Sequence, residues 1–101
     1  MSSKFSPPKN IVVGGRSIRI KVVEDLHVEG VGKANGAYCH DARLIQLDKD
    51  DGVNNAFLLH EATHAVLTTS GLSEVLGLQL EEAICTAMEM LASSIYFRAK
   101  K

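Results

Sequence analysis

The chain has 101 residues, a net charge of -1 at pH 7 and 46% hydrophobic residues. This size and composition predict a single globular domain over residues 1–101 that can bury a core without metal or disulfide staples. The small net charge shows no bias toward nucleic acid or acidic membranes, and no run of residues is long and apolar enough to span a bilayer. We therefore expect neither a nucleic-acid partner nor a membrane partner.

The two cysteines are Cys39 and Cys85. They form no CxxC motif, so neither a disulfide framework nor a Cys-rich zinc site is indicated, and reduced thiols in a cytoplasm fit best. Residues 1–9 are predicted to be a flexible tail, and they contain no apolar stretch typical of an export signal.

The N-terminal half favours β-structure. Ile11 to Val13 and Ser17 to Val23 are rich in β-branched residues, and Gly14-Gly15-Arg16 between them suits the tight turn of a hairpin. In the second arm the residues predicted to share the buried face are Ile18, Ile20 and Val22.

The segment from Asp25 to Asp41 is rich in glycine and poor in apolar residues, which predicts a loop with at most a short irregular strand. Arg43 to Asp48 is predicted to be a further strand. The acidic turn that follows, Asp48 to Gly52, does not match the spacing of an EF-hand calcium loop and is interpreted as a solvated turn.

A helix is predicted next, capped by Asn54 or Asn55 and ending near Ser70 before Gly71. Its helical wheel places His60 and His64 opposite an apolar face, which consists of Leu58, Leu59, Ala62, Ala65 and Val66. If that face covers the sheet, both histidines point toward whatever packs on the other side of the helix.

A second, longer helix is predicted from about Gln79 to Ala99. Its predicted apolar stripe is Leu80, Ala83, Ile84, Ala87, Leu91 and Ile95. Its cleft-facing or exposed side is predicted to carry Glu82, Thr86, Glu89, Ser93 and Tyr96. The elements together predict an α+β fold, in which a small antiparallel or mixed sheet of about three strands packs against both helices.

The most informative motif is the HExxH sequence His60-Glu61-Ala62-Thr63-His64. Residues four apart lie on one face of a helix, so both imidazoles can bind one metal ion. Glu61 is rotated by roughly 100° from His60, too far to be a third ligand but close enough to reach a water molecule at that metal. The motif predicts a Zn²⁺ site with Glu61 as general base.

A catalytic zinc site usually has three protein ligands and leaves one position open. The start of the second helix offers Glu81 and Glu82, and a short connection would bring its first turn close to the histidines. The physics of the sequence does not separate these two glutamates, and an acidic first turn also favours a helix N-terminus by itself.

The combination of HExxH with a later Glu-Ala pair on a helix resembles the gluzincin class of zinc metallopeptidases. The order of parts from Ile11 to the C-terminus resembles the compact phage and mobile-element peptidases related to the ImmA/IrrE group. The resemblance implies that Glu82, which Ala83 follows, is the third zinc ligand. The chain departs from the gluzincin pattern at Thr86, where an aspartate is common.

Two residues of the loop are candidate donors to the oxyanion formed during peptide hydrolysis, namely Tyr38 and His40. Tyr96 is excluded because it lies 14 residues beyond Glu82, about 21 Å along the helix. The strand next to this loop could pair with a peptide substrate as an edge. Cys39, in the same loop, is interpreted as a buried thiol rather than a zinc-blocking thiolate.

The predicted function is therefore a zinc-dependent metalloendopeptidase of the cytoplasm, or of the host cytoplasm if the chain is phage-encoded, with a protein or peptide substrate. The alternative is a non-catalytic binding or assembly protein that keeps the fold and the zinc. A zinc hydrolase acting on a small non-peptide substrate would use the same residues. The sequence leaves the oligomeric state open.

Overall fold

A mixed four-stranded sheet with helices packed against it forms the body of the protein. The structure, a computed structural model, describes the backbone of residues 5–100 and the side chains of residues 5–92. The strands are β1 (Asn10–Val13), β2 (Arg16–Val23), β3 (His27–Val28), β4 (Gly32–Lys33), β5 (Gly36–Cys39) and β6 (Leu44–Asp48). The helices are α1 (Asn55–Thr69), α2 (Leu72–Leu76) and α3 (Leu78–Lys100). The α+β class and the long C-terminal helix are confirmed.

The strand order in the larger sheet is β1-β2-β6-β5. β1 and β2 are antiparallel, β2 and β6 are parallel, and β6 and β5 are antiparallel. The sheet therefore has four strands rather than about three, because part of the segment predicted as a loop pairs with β6 as β5. β3 and β4 form a separate two-stranded sheet. β3, β4 and β5 are only two to four residues long and lack the apolar alternation by which a sequence pattern reveals a strand.

The N-terminal hairpin has the predicted form. Val13 pairs with Arg16, which leaves Gly14 and Gly15 as a two-residue turn with φ angles of 57° and 80°. Positive φ at both positions is the requirement of a type I′ turn, which glycine meets without steric cost. Within the predicted tail, the Lys9 carbonyl accepts a hydrogen bond from the Ile20 amide, so the end of this segment is attached to the sheet.

Asp48 at the end of β6 is fully buried and organises the loops around it. Its carboxylate accepts hydrogen bonds from the Leu26 amide and the Lys33 ammonium, each at 2.8 Å, and from the Asp51 amide at 3.0 Å. The Lys33 bond and these amides hold the pKa of the Asp48 carboxyl well below its usual value, although burial acts in the opposite direction. One anion thus connects β6 to the β3–β4 hairpin.

α1 covers the sheet through the predicted face. Asn54 is the N-cap, and its side-chain oxygen accepts a hydrogen bond from the Phe57 amide at 2.8 Å. The core cluster joins Leu58 and Ala65 of α1 to four strand residues, Ile18, Ile20, Ile45 and Leu47. Two residues predicted to be buried are instead largely exposed, Val66 at 48% and Val22 at 44%, so the apolar contact area is narrower than expected.

α3 packs against α1 with a face different from the predicted one. Over residues 78–92, where the side chains of this helix are described, the buried ones are Glu81, Cys85 and Ala92, whereas Leu80 and Leu91 of the predicted stripe are 57% and 48% exposed. Ile95 of that stripe lies outside the described side chains. Pairing between α3 carboxylates and the α1 histidines sets the rotation of the helix and turns the stripe outward. Among the described residues, no helix combines the length and apolar character needed to cross a membrane.

The buried carboxylate predicts a specific acid sensitivity. Because its pKa is depressed, Asp48 contributes stability fully above its unfolded-state pKa of about 3.9, and this contribution is lost as the pH falls toward the folded-state value. We expect Asp48→Asn to lower the urea midpoint at pH 7, because Lys33 loses its nearer anionic partner. The difference from the parent protein should shrink below about pH 4. Asp51→Asn, an exposed change of the same charge, is the control, and an equal loss in both variants would contradict this role.

Candidate metal centre

His60 and His64 lie one turn apart on α1 and face α3. Their side chains are 12% and 18% exposed, and their ring centroids are 5.2 Å apart. The apolar contacts of α1 with the sheet place the opposite side of this helix against α3, as the helical wheel predicted. The two imidazoles are thus largely shielded from solvent at the contact between the two helices.

Glu82 in the first turns of α3 contacts both imidazoles. Its Oε2 lies 3.0 Å from His60 Nε2, and its Oε1 lies 3.0 Å from His64 Nε2. For zinc bonds of 2.0–2.2 Å at tetrahedral angles, neighbouring donors are about 3.3 Å apart. Each of the two distances from an Nε2 atom to an oxygen of Glu82 is therefore close to the donor separation in a zinc site.

The other nitrogen of each ring contacts a different carboxylate. His60 Nδ1 lies 2.9 Å from Glu89 Oε1, and His64 Nδ1 lies 2.6 Å from Glu81 Oε2. Burial raises the pKa of the Glu81 carboxyl, but its hydrogen bonds with His64 and Ser73 outweigh this and keep the pKa below its usual value. A carboxylate at Nδ1 is the usual partner of a metal-binding histidine, because it fixes the ring and leaves Nε2 for the metal.

The proton count of the two rings favours a cation at this place. A neutral imidazole has one N–H, yet both nitrogens of His60 and of His64 face carboxylate oxygens. A further proton on a ring or on a carboxyl group would satisfy these contacts, and so would a positive ion between the Nε2 atoms and Glu82. Two nitrogens and a carboxylate oxygen are donors that zinc accepts, so the residues present fit this ion.

Glu61 of α1 is 8% exposed, and its side chain faces the edge strand β5. A β-carbon at Gly36 would lie 3.2 Å from its Cγ and its Oε2, so the glycine lets the strand backbone approach this carboxyl group closely. Burial raises the pKa of the Glu61 carboxyl, and the nearby Glu82 and Glu89 act in the same direction, while His60 and His64 oppose them. A raised pKa suits a group that accepts a proton near neutral pH.

Cys85 also belongs to this region, and the sequence did not indicate it. Its side chain is fully buried, and its sulfur and one nitrogen each of His60 and His64 all lie within 4.8 Å of one another. Burial raises the pKa of the Cys85 thiol to about 12, with the neighbouring Glu82, Glu81 and Glu61 acting in the same direction. The only sequence signal was its position three residues after Glu82, which places both on one helix face.

A cleft of about 820 Å³ opens over these residues. One wall carries the histidines and the glutamates of α1 and α3, and Thr86 lies on the same side. The apolar residues that line the cleft include Phe57 of α1 and, from the segment that runs from β3 to β5, Val28, Val31 and Ala34. The edge strand β5 contributes Gly36, Ala37 and Tyr38 to the lining. The residues of the HExxH motif and the edge strand β5 therefore line the same open cleft.

Tyr38 and His40 line the same cleft, and they contact each other. The Tyr38 hydroxyl is 2.7 Å from His40 Nδ1. Partial burial raises the pKa of the Tyr38 phenol, against a hydrogen bond with Thr69 that lowers it. Because Thr69 is the last residue of α1, the Tyr38 hydroxyl lies toward the C-terminal end of this helix. The role of Tyr38 and His40 as oxyanion donors stays a prediction.

The interpretation of Cys39 is wrong. This residue is exposed on the edge strand β5, because the side chains that alternate with the core-facing Tyr38 point away from α1. The cysteine near the histidines is Cys85, which belongs to α3 and not to β5. Glu89, on the other hand, was assigned to the cleft-facing side of α3, and it lines the cleft as expected.

Comparisons with known proteins found no matching family model, no similar curated protein and no similar solved structure. The function is therefore argued from the geometry of the site.

The two cysteines should differ in reactivity. Cys39 is exposed, while Cys85 is buried and its pKa is raised to about 12, so it carries little thiolate at neutral pH. We expect one rapid equivalent of reaction with a chromogenic disulfide in the native metal-free protein and two in denaturant. Cys39→Ala should remove the rapid equivalent. Two rapid equivalents in the native protein would contradict the burial of Cys85.

Proposed function

We propose that this protein is a zinc-dependent metallopeptidase. The observation that carries the proposal is the approach of both HExxH imidazoles to one carboxylate: His60 Nε2 and His64 Nε2 each lie 3.0 Å from an oxygen of Glu82. Glu61 of the same motif is buried beside them. In this proposal His60, His64 and Glu82 hold the zinc, and Glu81 and Glu89 orient the two rings.

Zinc in such a site acts as a Lewis acid that polarises a carbonyl group and makes water nucleophilic near neutral pH. The proton transfer and the stabilisation of the developing charge are assigned to protein residues. Glu61 accepts a proton from the attacking water and passes it to the leaving amine. Tyr38 and His40 are the candidates for stabilising the negative charge that develops on the carbonyl oxygen.

An extended peptide is the substrate that this cleft favours. β5 is the edge strand of the sheet and lines the cleft, so a peptide can pair with it through backbone hydrogen bonds. The apolar lining residues Val28, Val31 and Phe57 can contact the side chains of that peptide. The resemblance to gluzincin peptidases related to the ImmA/IrrE group supports the same function.

The assignment of the third ligand predicts different effects for two adjacent glutamates. Glu81→Gln should weaken zinc binding by about 10–100-fold, because it removes an orienting carboxylate, and Glu82→Gln should weaken it by more, because it removes a ligand. Competition with a chromophoric chelator measures both affinities. Glu74→Gln on the exposed surface of α2 is the control. If Glu81→Gln has the larger effect, the two roles must be exchanged.

The role of Glu61 predicts a separation of metal binding from turnover. Glu61→Gln should retain zinc and lower the rate of peptide cleavage by about 10²–10⁴-fold, because the general base is lost while the ligands remain. Cleavage of diverse peptide pools is followed by mass spectrometry, and zinc content by elemental analysis. Zinc-loaded Glu74→Gln should cleave like the parent protein. Unchanged turnover in Glu61→Gln would exclude the mechanism.

The second candidate is a non-catalytic binding or assembly protein that retains the zinc. The buried Cys85 favours it, since a fourth protein donor close to both histidines could exclude water from the metal permanently. Glu61 favours the peptidase, since a structural zinc site has no need of a buried carboxyl group beside its ligands. A zinc-loaded protein that cleaves no peptide in the pools would support the second candidate.

A further inference from the structure

Cys85 lies within reach of the proposed metal position. It sits on the face of α3 that packs against α1, three residues after Glu82 and four residues before Glu89, and both of these glutamates contact His60. Its sulfur and one nitrogen of each histidine lie within 4.8 Å of one another. The side chain is fully buried, so it points into the space between the two helices rather than toward solvent.

The spacing and the chemistry both suit metal binding. Donors in a tetrahedral zinc site with a Zn–S bond of about 2.3 Å are roughly 3.5 Å apart. The present group would need to contract by about 1 Å, which is within the range of a small side-chain rotation. Thiolate is also a preferred zinc donor, and two imidazoles, a carboxylate and a thiolate complete a four-coordinate set.

We propose that Cys85 is a fourth protein ligand of the metal when the cleft holds no substrate. On binding, the S–H bond breaks, the proton leaves to solvent and a sulfur–metal bond forms, with no change in oxidation state. This inference rests on the metal-binding part of the proposed function. In a peptidase the thiolate must leave the metal to admit water, so Cys85 would keep the resting site closed.

Cobalt(II) is the probe that tests this, because a thiolate bound to cobalt gives a charge-transfer band in the near ultraviolet that nitrogen and oxygen ligands do not give. The experiment uses the full chain with Cys39→Ala, in which Cys85 is the one remaining thiol. We expect the band at full intensity in this variant and in the parent protein, and its loss in Cys85→Ala. Because Cys39→Ala alone shows whether Cys85 binds, the test does not depend on Cys85→Ala folding.

Zinc affinity supplies a second measurement. Cys85→Ala should weaken zinc binding on the order of 10–100-fold, as expected for a lost contribution to the metal site, while Cys39→Ala should leave it unchanged. Cobalt bound in the Cys39→Ala variant without a charge-transfer band overturns the role of Cys85 and leaves the proposed peptidase standing. If neither cobalt nor zinc binds to the parent protein, both proposals are wrong.

Discussion

The contact between one carboxylate of α3 and two imidazoles of α1 is the constraint on which the functional region depends. Glu82 lies 3.0 Å from an Nε2 atom of both His60 and His64, and it can do so only if α3 crosses α1 at one height and in one rotation. Glu81 and Glu89 reach the remaining ring nitrogens from the same helix. Four side-chain contacts thus fix the helix pair, in a place where most proteins use apolar packing.

The clustering of carboxylates around the two histidines is unfavourable in free energy unless positive charge accompanies it. Glu61 and Glu81 are buried near the two histidines, and the partly exposed Glu82 and Glu89 lie close by. Carboxylates this close to one another are unfavourable because their charges repel, and the buried ones also lose hydration. A divalent cation between the Nε2 atoms and Glu82 would offset much of that cost. The same cation would replace two protons, so metal binding and the stability of the α1–α3 contact should be coupled.

The loops near the site are held by a different anion. Asp48 accepts hydrogen bonds from Leu26 and Lys33, and its own amide donates to the Asn35 carbonyl at 2.8 Å, immediately before β5. Gly52 packs closely against the same carbonyl group: a β-carbon at this position would lie 1.9 Å from the Asn35 carbonyl oxygen. By fixing Asn35, this network positions Gly36 against Glu61 and sets the edge strand along the cleft.

The sequence by itself determined what local chemistry decides. The HExxH spacing, the glycine turn of the first hairpin and the cap of α1 depend on residues within a few positions of one another. The turn was predicted correctly, and of the two predicted caps, Asn54 and Asn55, the structure uses Asn54. Tertiary structure decided the rest: β5 exists because β6 offers it backbone partners, and α3 turns its apolar stripe outward. The position of Cys85 beside the histidines follows from that rotation, whereas Glu89 lies on the side of α3 that the wheel assigned to the cleft or to solvent. A helical wheel ranks faces by hydrophobicity, and it could not foresee an interface in which carboxylates contact imidazoles.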